Sequence, residues 1–323
     1  MKGTLTHYGW IDVTKLLMCF LVVSVHVGYA FPSCGDVLYV LGHASVPVFL
    51  VISGFFFGQQ YMYVPISERS AVLKKYLKRI FMLYAIWTLV YCPIALVYLS
   101  HHHSLGTSLL LYVRNILFLG QNMMSWHLWY LHALMIELIF IHLLLKCKFK
   151  LWQIVIVSIM LFSIGEYIYE NGYFTSEFFV SLFDNPQDSF FQRNIYVSLG
   201  MLLTYYKDKP LAPVWLICAL ASFVLYAFDI PFCYPMFSVG VVGLLLFLPK
   251  QTLYPTLFLW CRKASTFIYL FHFLPIVFMQ QIMHWQGDFM QSYAIVLPVC
   301  LISAWIWIRL SQVDKLNVMK KFY

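Results

Sequence analysis

Charged residues are scarce in this chain. They make up 11% of its 323 residues, whereas hydrophobic residues make up 62%, and the mean hydropathy is +0.78. A water-soluble domain of this composition would have more apolar surface than it could bury, so that class is excluded. A chain of this length can hold about ten spans of ~20 residues with short connections. We therefore expect an all-α membrane bundle that forms a single domain over residues 1–323.

Several common site patterns are also missing from the sequence. The eight cysteines stand singly, without a CxxC pair, which gives no support to a metal centre or a redox pair. Adjacent histidines at 101–103 cannot all converge on one ion without special folding. Glycine-rich phosphate loops and a GxSxG elbow are absent. We therefore predict no metal and no permanently bound cofactor.

Hydrophobic runs separated by breakers predict ten transmembrane helices. They lie near 10–30, 38–58, 77–99, 126–145, 151–169, 190–206, 211–228, 233–248, 264–284 and 290–310. Ten spans put both termini on one side, and that side holds 19 of the 21 basic residues, all but Arg114 and Arg193. Short cytoplasmic loops collect Lys and Arg, so we expect both termini in the cytoplasm. The net charge of +8 is then an orientation signal and gives no support to nucleic-acid binding.

Two connecting segments are more than turns. Residues 107–119 are apolar but too short to cross the membrane, which predicts an interfacial or re-entrant helix. Residues 171–192 mix aromatic and acidic side chains. This mixture suits an outer cap or a surface that holds a polar acceptor, and it suits an ordinary loop equally well.

The first predicted span contains a lysine and a histidine, Lys15 and His26, eleven residues apart. On an α-helix this spacing returns to within about 20° of the same face and rises about 16 Å. Polar groups kept inside a membrane usually face a cavity where something charged or reactive binds. The alternative is a lysine that reaches the membrane surface and a hydrogen-bonded core histidine.

The residues around this pair resemble the first helix of membrane acyltransferase family 3, whose bacterial members O-acylate cell-surface sugars. In that family an Arg or Lys lies eleven residues before a histidine. Five segments carry the resemblance in order along the chain, namely 10–26, 46–56, the basic start of the third span at 74–79, 126–131 and 265–272. The family often has two arginines at the start of its third helix, whereas here lysines dominate and only Arg79 is an arginine. The register of the phosphate contacts therefore stays open.

The resemblance implies a multi-pass enzyme of the bacterial cytoplasmic membrane. It would transfer an acyl group, acetyl in our prediction, from cytoplasmic acyl-CoA to a hydroxyl of a cell-surface glycan or lipid-linked sugar. Membrane lipid, acyl-CoA and this acceptor are the expected partners. Basic side chains are needed for the donor phosphates, for which the candidates are Lys15, Lys75, Lys78 and Arg79. His26 would be the catalytic base, acting directly or through an acyl-histidine.

Asp12 and Ser53 complete the predicted donor site. Asp12 is close enough on a helix to pair with Lys15, and a helix N-terminal charge explains it equally well. Ser53 precedes Gly54, and this pair can bring backbone close to the substrate or allow close helix packing.

Glu137 is the second predicted catalytic residue, because it is the one carboxylate placed clearly inside a span. It would bond His26 or a sugar, or else satisfy a buried Tyr or Trp. We interpret His127 and His272 as packed polar contacts rather than catalysts.

A transporter or exporter of a small anion or acylated metabolite is the main alternative function. Charged residues along an internal path suit it, but the sequence shows no paired halves with interrupted helices at corresponding positions. A structural membrane component would leave the Lys15 and His26 pair unexplained.

Overall fold

The computed structural model describes residues 8–31, 41–101, 104–120, 124–171, 190–249, 255–313 and 319–321, and within these ranges it contains helices and no β-strand. In chain order the α-helices are α1 (Gly9–Ala30), α2 (Ser45–Tyr61), α3 (Ile66–Ser100), α4 (Leu105–Arg114), α5 (Trp129–Lys146), α6 (Leu151–Glu170), α7 (Phe190–Tyr206), α8 (Ala212–Ala227), α9 (Cys233–Leu245), α10 (Pro255–Phe271), α11 (Phe273–Gln281) and α12 (Phe289–Leu310). The predictions for 102–103 and for most of 171–192 lie outside the described residues.

The helical membrane class is confirmed. Six of the described helices, α1, α2, α3, α5, α6 and α12, are long and apolar enough to cross a bilayer, counting the helical residues that adjoin α2 and α5. The predicted spans 190–206, 211–228 and 233–248 correspond to α7, α8 and α9, which are 13 to 17 residues long. The count of ten spans and the side of the termini stay predictions.

Two predicted boundaries are wrong. Helix α3 begins at Ile66, well before residue 77, because Pro65 starts it and the polar turns that follow extend the helix beyond the apolar run. The predicted span 264–284 is two helices, α10 and α11, which meet at His272. Pro275 has no N–H for the Phe271 carbonyl and its ring crowds that carbonyl, so a continuous helix is disfavoured there.

The predicted interfacial segment is helical, as expected. Helix α4 continues as a π-helical turn over Asn115–Leu119, which ends at Gly120. Gly120 adopts φ 72°, a left-handed conformation that favours glycine.

Helix α2 lies at the centre of the bundle. In its apolar stretch 72% of the residues are buried, against 44% or less in the other five long helices. Its closest approach is to α7, where a Cβ on Gly54 would clash with the Val197 carbonyl, and one on Gly200 with the Val51 carbonyl. Small residues at such crossings let two backbones touch, which drives helix association in membranes. Close packing therefore explains Gly54.

Replacing Gly54 with alanine is expected to destabilise the protein by about 1–3 kcal/mol, because backbone atoms of α7 must move away from the new Cβ. Thermal unfolding of the detergent-solubilised protein would measure the change. Gly106→Ala is the matched control, because a Cβ there meets nothing within 4 Å. Equal melting temperatures for the two variants would contradict this account of the crossing.

Candidate active site

A cavity of about 460 Å³ lies among α1, α2, α3, α5 and α10. It brings together four of the predicted site residues, Asp12, Lys15, Ser53 and Arg79. Its further polar lining consists of Gln59, Gln60, Tyr76, Tyr130, Arg262, Ser265, Thr266 and Tyr269. Three basic side chains from three helices against one carboxylate make the cavity cationic. Such a cavity is suited to an anionic ligand.

The cavity contains an arginine that the sequence did not single out, Arg262 on α10. Its Nε and Nη2 donate to both carboxylate oxygens of Asp12, at 2.8 to 3.1 Å. Asp12 is 2% exposed and the Arg262 side chain 40% exposed. The ion pair therefore joins the first turn of α1 to the middle of α10 and fixes a guanidinium at the cavity. Asp12 forms this salt bridge with Arg262, and it also lies close enough to Lys15, one turn along α1, to act on it electrostatically.

The three basic residues of α3 that were predicted to bind the donor phosphates fall into two groups. Arg79 lines the cavity, and with Arg262 it lies near enough to Lys15 to act on it electrostatically. Lys75 and Lys78 are exposed on α3 and are not part of the cavity lining. Among the three predicted cations of α3, Arg79 is thus the one that lies at the cavity.

Two hydroxyl groups meet on the cavity wall. Ser53 on α2 and Tyr130 on α5 share a hydrogen bond of 2.8 Å. The side chain of Ser53 thus faces the cavity, while the neighbouring Gly54 packs against α7. Of the two explanations for this Ser-Gly pair, contact with a ligand therefore concerns Ser53, and close helix packing concerns Gly54.

Three aromatic rings of the cavity lining pack against one another, and we call them the aromatic triangle: Phe49, Tyr130 and Tyr269. Their ring centroids lie 5.4 to 6.3 Å apart. Tyr269 also lies 6.0 Å from the ring of His127 and 6.1 Å from that of His272. Tyr269 thus links the cavity lining to a group of histidines.

This group, the histidine cluster, comprises His26, His127 and His272. The ring centroid of His26 lies 5.0 Å from that of His272 and 6.4 Å from that of His127, and the latter two are 4.9 Å apart. His127 and His272 are fully buried and His26 is half-buried. The predicted base therefore sits with two histidines that we had interpreted as packed contacts. In the described part of the chain, no group of His, Cys, Asp or Glu side chains is arranged to hold a metal ion.

Glu137, the second predicted catalytic residue, lies apart from the cavity lining and from the histidine cluster. It is 0% exposed on α5, and neither carboxylate oxygen has a hydrogen-bond partner among the described residues. The hydrogen bond to His26 that we considered is therefore not seen. Arg193, whose guanidinium lies 4.4 Å from the ring centroid of Trp129, is close enough to act on Glu137 electrostatically.

Comparison with known proteins gives one family. The model of membrane acyltransferase family 3, described as an acyltransferase domain, matches residues 8–309. No curated protein and no solved structure matches the chain. The matched range includes the whole cavity and the whole histidine cluster.

Proposed function

Because the chain belongs to membrane acyltransferase family 3, we propose that this multi-pass membrane protein transfers an acyl group, specifically acetyl, from acyl-CoA to a sugar hydroxyl. The acceptor in this proposal is a cell-surface glycan or lipid-linked sugar, and the enzyme resides in a bacterial cytoplasmic membrane with both termini in the cytoplasm. The observation that carries the proposal is a cationic cavity whose lining residue Tyr269 adjoins two rings of the histidine cluster.

The donor phosphates would bind at the cationic end of the cavity. Lys15, Arg79 and Arg262 supply the charge there, and cations of this kind bind phosphate through short, charge-assisted hydrogen bonds. Arg262 uses its Nε and Nη2 on Asp12, so its remaining nitrogen, Nη1, is the one to present to a ligand. The excess of basic residues on the predicted cytoplasmic side supports a donor from the cytoplasm.

The thioester would then reach the histidine cluster past the aromatic triangle. Lys15 and His26 lie on the one continuous helix α1, which separates them by about 16 Å along its axis. An extended pantetheine arm has a reach of this order. Tyr269 supports this path, because it both lines the cavity and adjoins two of the histidines.

His26 is the proposed general base. Its imidazole takes the proton of the acceptor hydroxyl while the hydroxyl oxygen attacks the thioester carbonyl carbon. The carbon–sulfur bond then breaks, and the imidazolium returns the proton to the departing thiolate to give free CoA thiol and the sugar ester. A relay through acylated His26 needs the same arrangement and yields the same products.

Donor binding tests the cavity directly. We expect Arg79→Ala to weaken acetyl-CoA binding about tenfold or more, since a hydrogen bond to a charged group contributes about 1.5–3 kcal/mol. Lys15→Ala should mainly raise the apparent KM for acetyl-CoA, and Lys15→Arg should be tolerated best because it keeps the charge. Titration calorimetry in nanodiscs would measure the binding.

Lys75→Ala is the matched control for the donor site, because Lys75 is an exposed cation one turn from Arg79 but outside the cavity lining. It should bind acetyl-CoA nearly as well as the unaltered protein. Equal losses of acetyl-CoA affinity in Arg79→Ala and Lys75→Ala would mean that the donor does not bind in the cavity.

A further inference from the structure

Main-chain hydrogen bonds fix the tautomers of two histidines in the cluster. Nδ1 of His272 donates to the carbonyl oxygens of Tyr269 at 2.8 Å and Ile268 at 3.2 Å. Nε2 of His127 donates to the carbonyl oxygen of Leu270 at 3.2 Å. A carbonyl oxygen can only accept, so these two nitrogens carry the protons.

The other nitrogen of each ring is then an acceptor when the imidazole is neutral. These atoms are Nε2 of His272 and Nδ1 of His127, and both are buried without a hydrogen-bond partner among the described residues. Two acceptors cannot bond each other, although the two rings lie 4.9 Å apart. Each therefore needs a donor from a third group.

His26 is the third ring, and no main-chain hydrogen bond from the described residues sets its tautomer. Its Nδ1 is also buried without a hydrogen-bond partner among the described residues. Leaving a buried polar atom without a partner costs free energy. A hydrogen bond between a donor and an acceptor within the cluster is therefore favourable. The ring of His272 lies nearer to His26 than that of His127, at 5.0 against 6.4 Å.

We propose that His272 is a positioning residue for His26, with Nε2 of His272 accepting the Nδ1 proton of His26. Two imidazoles joined by an N–H···N bond of ~2.9 Å have centroids about 5 Å apart, and the two ring centroids lie 5.0 Å apart in the structure. The inference rests on the proposed function, since it assigns His26 Nε2 as the atom that takes the acceptor proton. The Nδ1 proton stays on His26 throughout the reaction.

The fold holds His272 firmly in this place. His272 is the single residue between α10 and α11, and its Nδ1 is tied to carbonyls of the last turn of α10. A ring anchored on one nitrogen presents the other in a fixed direction. A carboxylate performs this orienting task for histidine in serine hydrolases, where the wrong tautomer costs about 10⁴-fold in kcat.

Two substitutions separate positioning from a purely structural role. Asparagine places a donor near the Nδ1 position of histidine and no atom at the Nε2 position. Glutamine places an acceptor oxygen near the Nε2 position but does not form the hydrogen bonds to the main-chain carbonyls. We expect His272→Asn to lower kcat for acetyl-CoA turnover about 10²–10⁴-fold with an unchanged KM. His272→Gln should stay within about tenfold of the unaltered enzyme.

Equal activity in the two variants, or a more active His272→Asn enzyme, would overturn the proposal. A second measurement does not depend on turnover: ¹⁵N NMR of histidine-labelled protein in nanodiscs, with His26→Ala to assign the signal, should show His26 protonated on Nδ1. A His26 signal protonated on Nε2 in the unaltered protein would overturn the positioning role. Absence of any acetyl-CoA turnover with Nδ1 protonated would instead count against the proposed function alone.

Discussion

Replacing His26 with alanine is expected to abolish acyl transfer while acetyl-CoA binding stays nearly intact. The binding should survive because His26 is not part of the cavity lining. Loss of a general base typically removes about 10²–10⁴-fold of the rate, and loss of an acyl-histidine relay would remove more. Release of CoA thiol and titration calorimetry would measure the two properties on the same preparation.

His132→Ala is the matched control for this substitution. His132 is a half-buried histidine like His26, and its Nε2 donates to the Leu117 carbonyl at 3.1 Å, away from the histidine cluster. It should keep nearly full activity. Full activity in correctly inserted His26→Ala protein would instead leave His26 as a core residue that only packs.

Removing Arg262 is expected to destabilise the protein by about 3 kcal/mol. Arg262→Ala leaves the Asp12 carboxylate, 2% exposed, without its bidentate partner. Breaking a buried ion pair costs about 3–5 kcal/mol, and the lower end applies because the Arg262 side chain is 40% exposed. Arg262→Lys should restore part of the loss, since an ammonium keeps the charge but not the forked geometry. Thermal unfolding in detergent would measure all of these variants.

The double variant Asp12→Ala with Arg262→Ala should be more stable than Arg262→Ala, because no buried charge is then left alone. Arg309→Ala serves as the control, since Arg309 lies over the Trp305 ring at 5.7 Å, far along the chain from this ion pair. It should change stability by less than about 1 kcal/mol. A melting temperature for Arg262→Ala equal to that of Arg309→Ala would contradict the structural role of the ion pair.

Local periodicity was enough to predict the first helix. Because 3.6 residues make one turn, Lys15 and His26 had to share a face, and the structure places both on α1. The break at His272 was missed because the hydrophobic run continues through it, although Pro275 was a readable signal. Helix α3 was cut short for the opposite reason, because its first turns are polar.

The partners of these residues could not be predicted in the same way. Asp12 forms hydrogen bonds with Arg262, which is 250 positions away in the sequence. The ring of His26 likewise lies beside that of His272, which is distant in the sequence. Such contacts depend on how α1 and α10 pack, which the periodicity of one sequence does not contain. The spacing rule reaches only the local neighbour of Asp12, Lys15, on which Asp12 also acts electrostatically.

The most direct test of the account is to follow a labelled acetyl group from acetyl-CoA in purified, nanodisc-embedded protein. An extract of bacterial membrane lipids and glycans would supply the hydroxyl acceptors. The account predicts release of CoA thiol and label in a sugar ester, both lost in His26→Ala and both requiring more acetyl-CoA in Lys15→Ala. Failure to bind acetyl-CoA, together with movement of a small anion across vesicles without any acyl donor, would contradict it and identify a transporter.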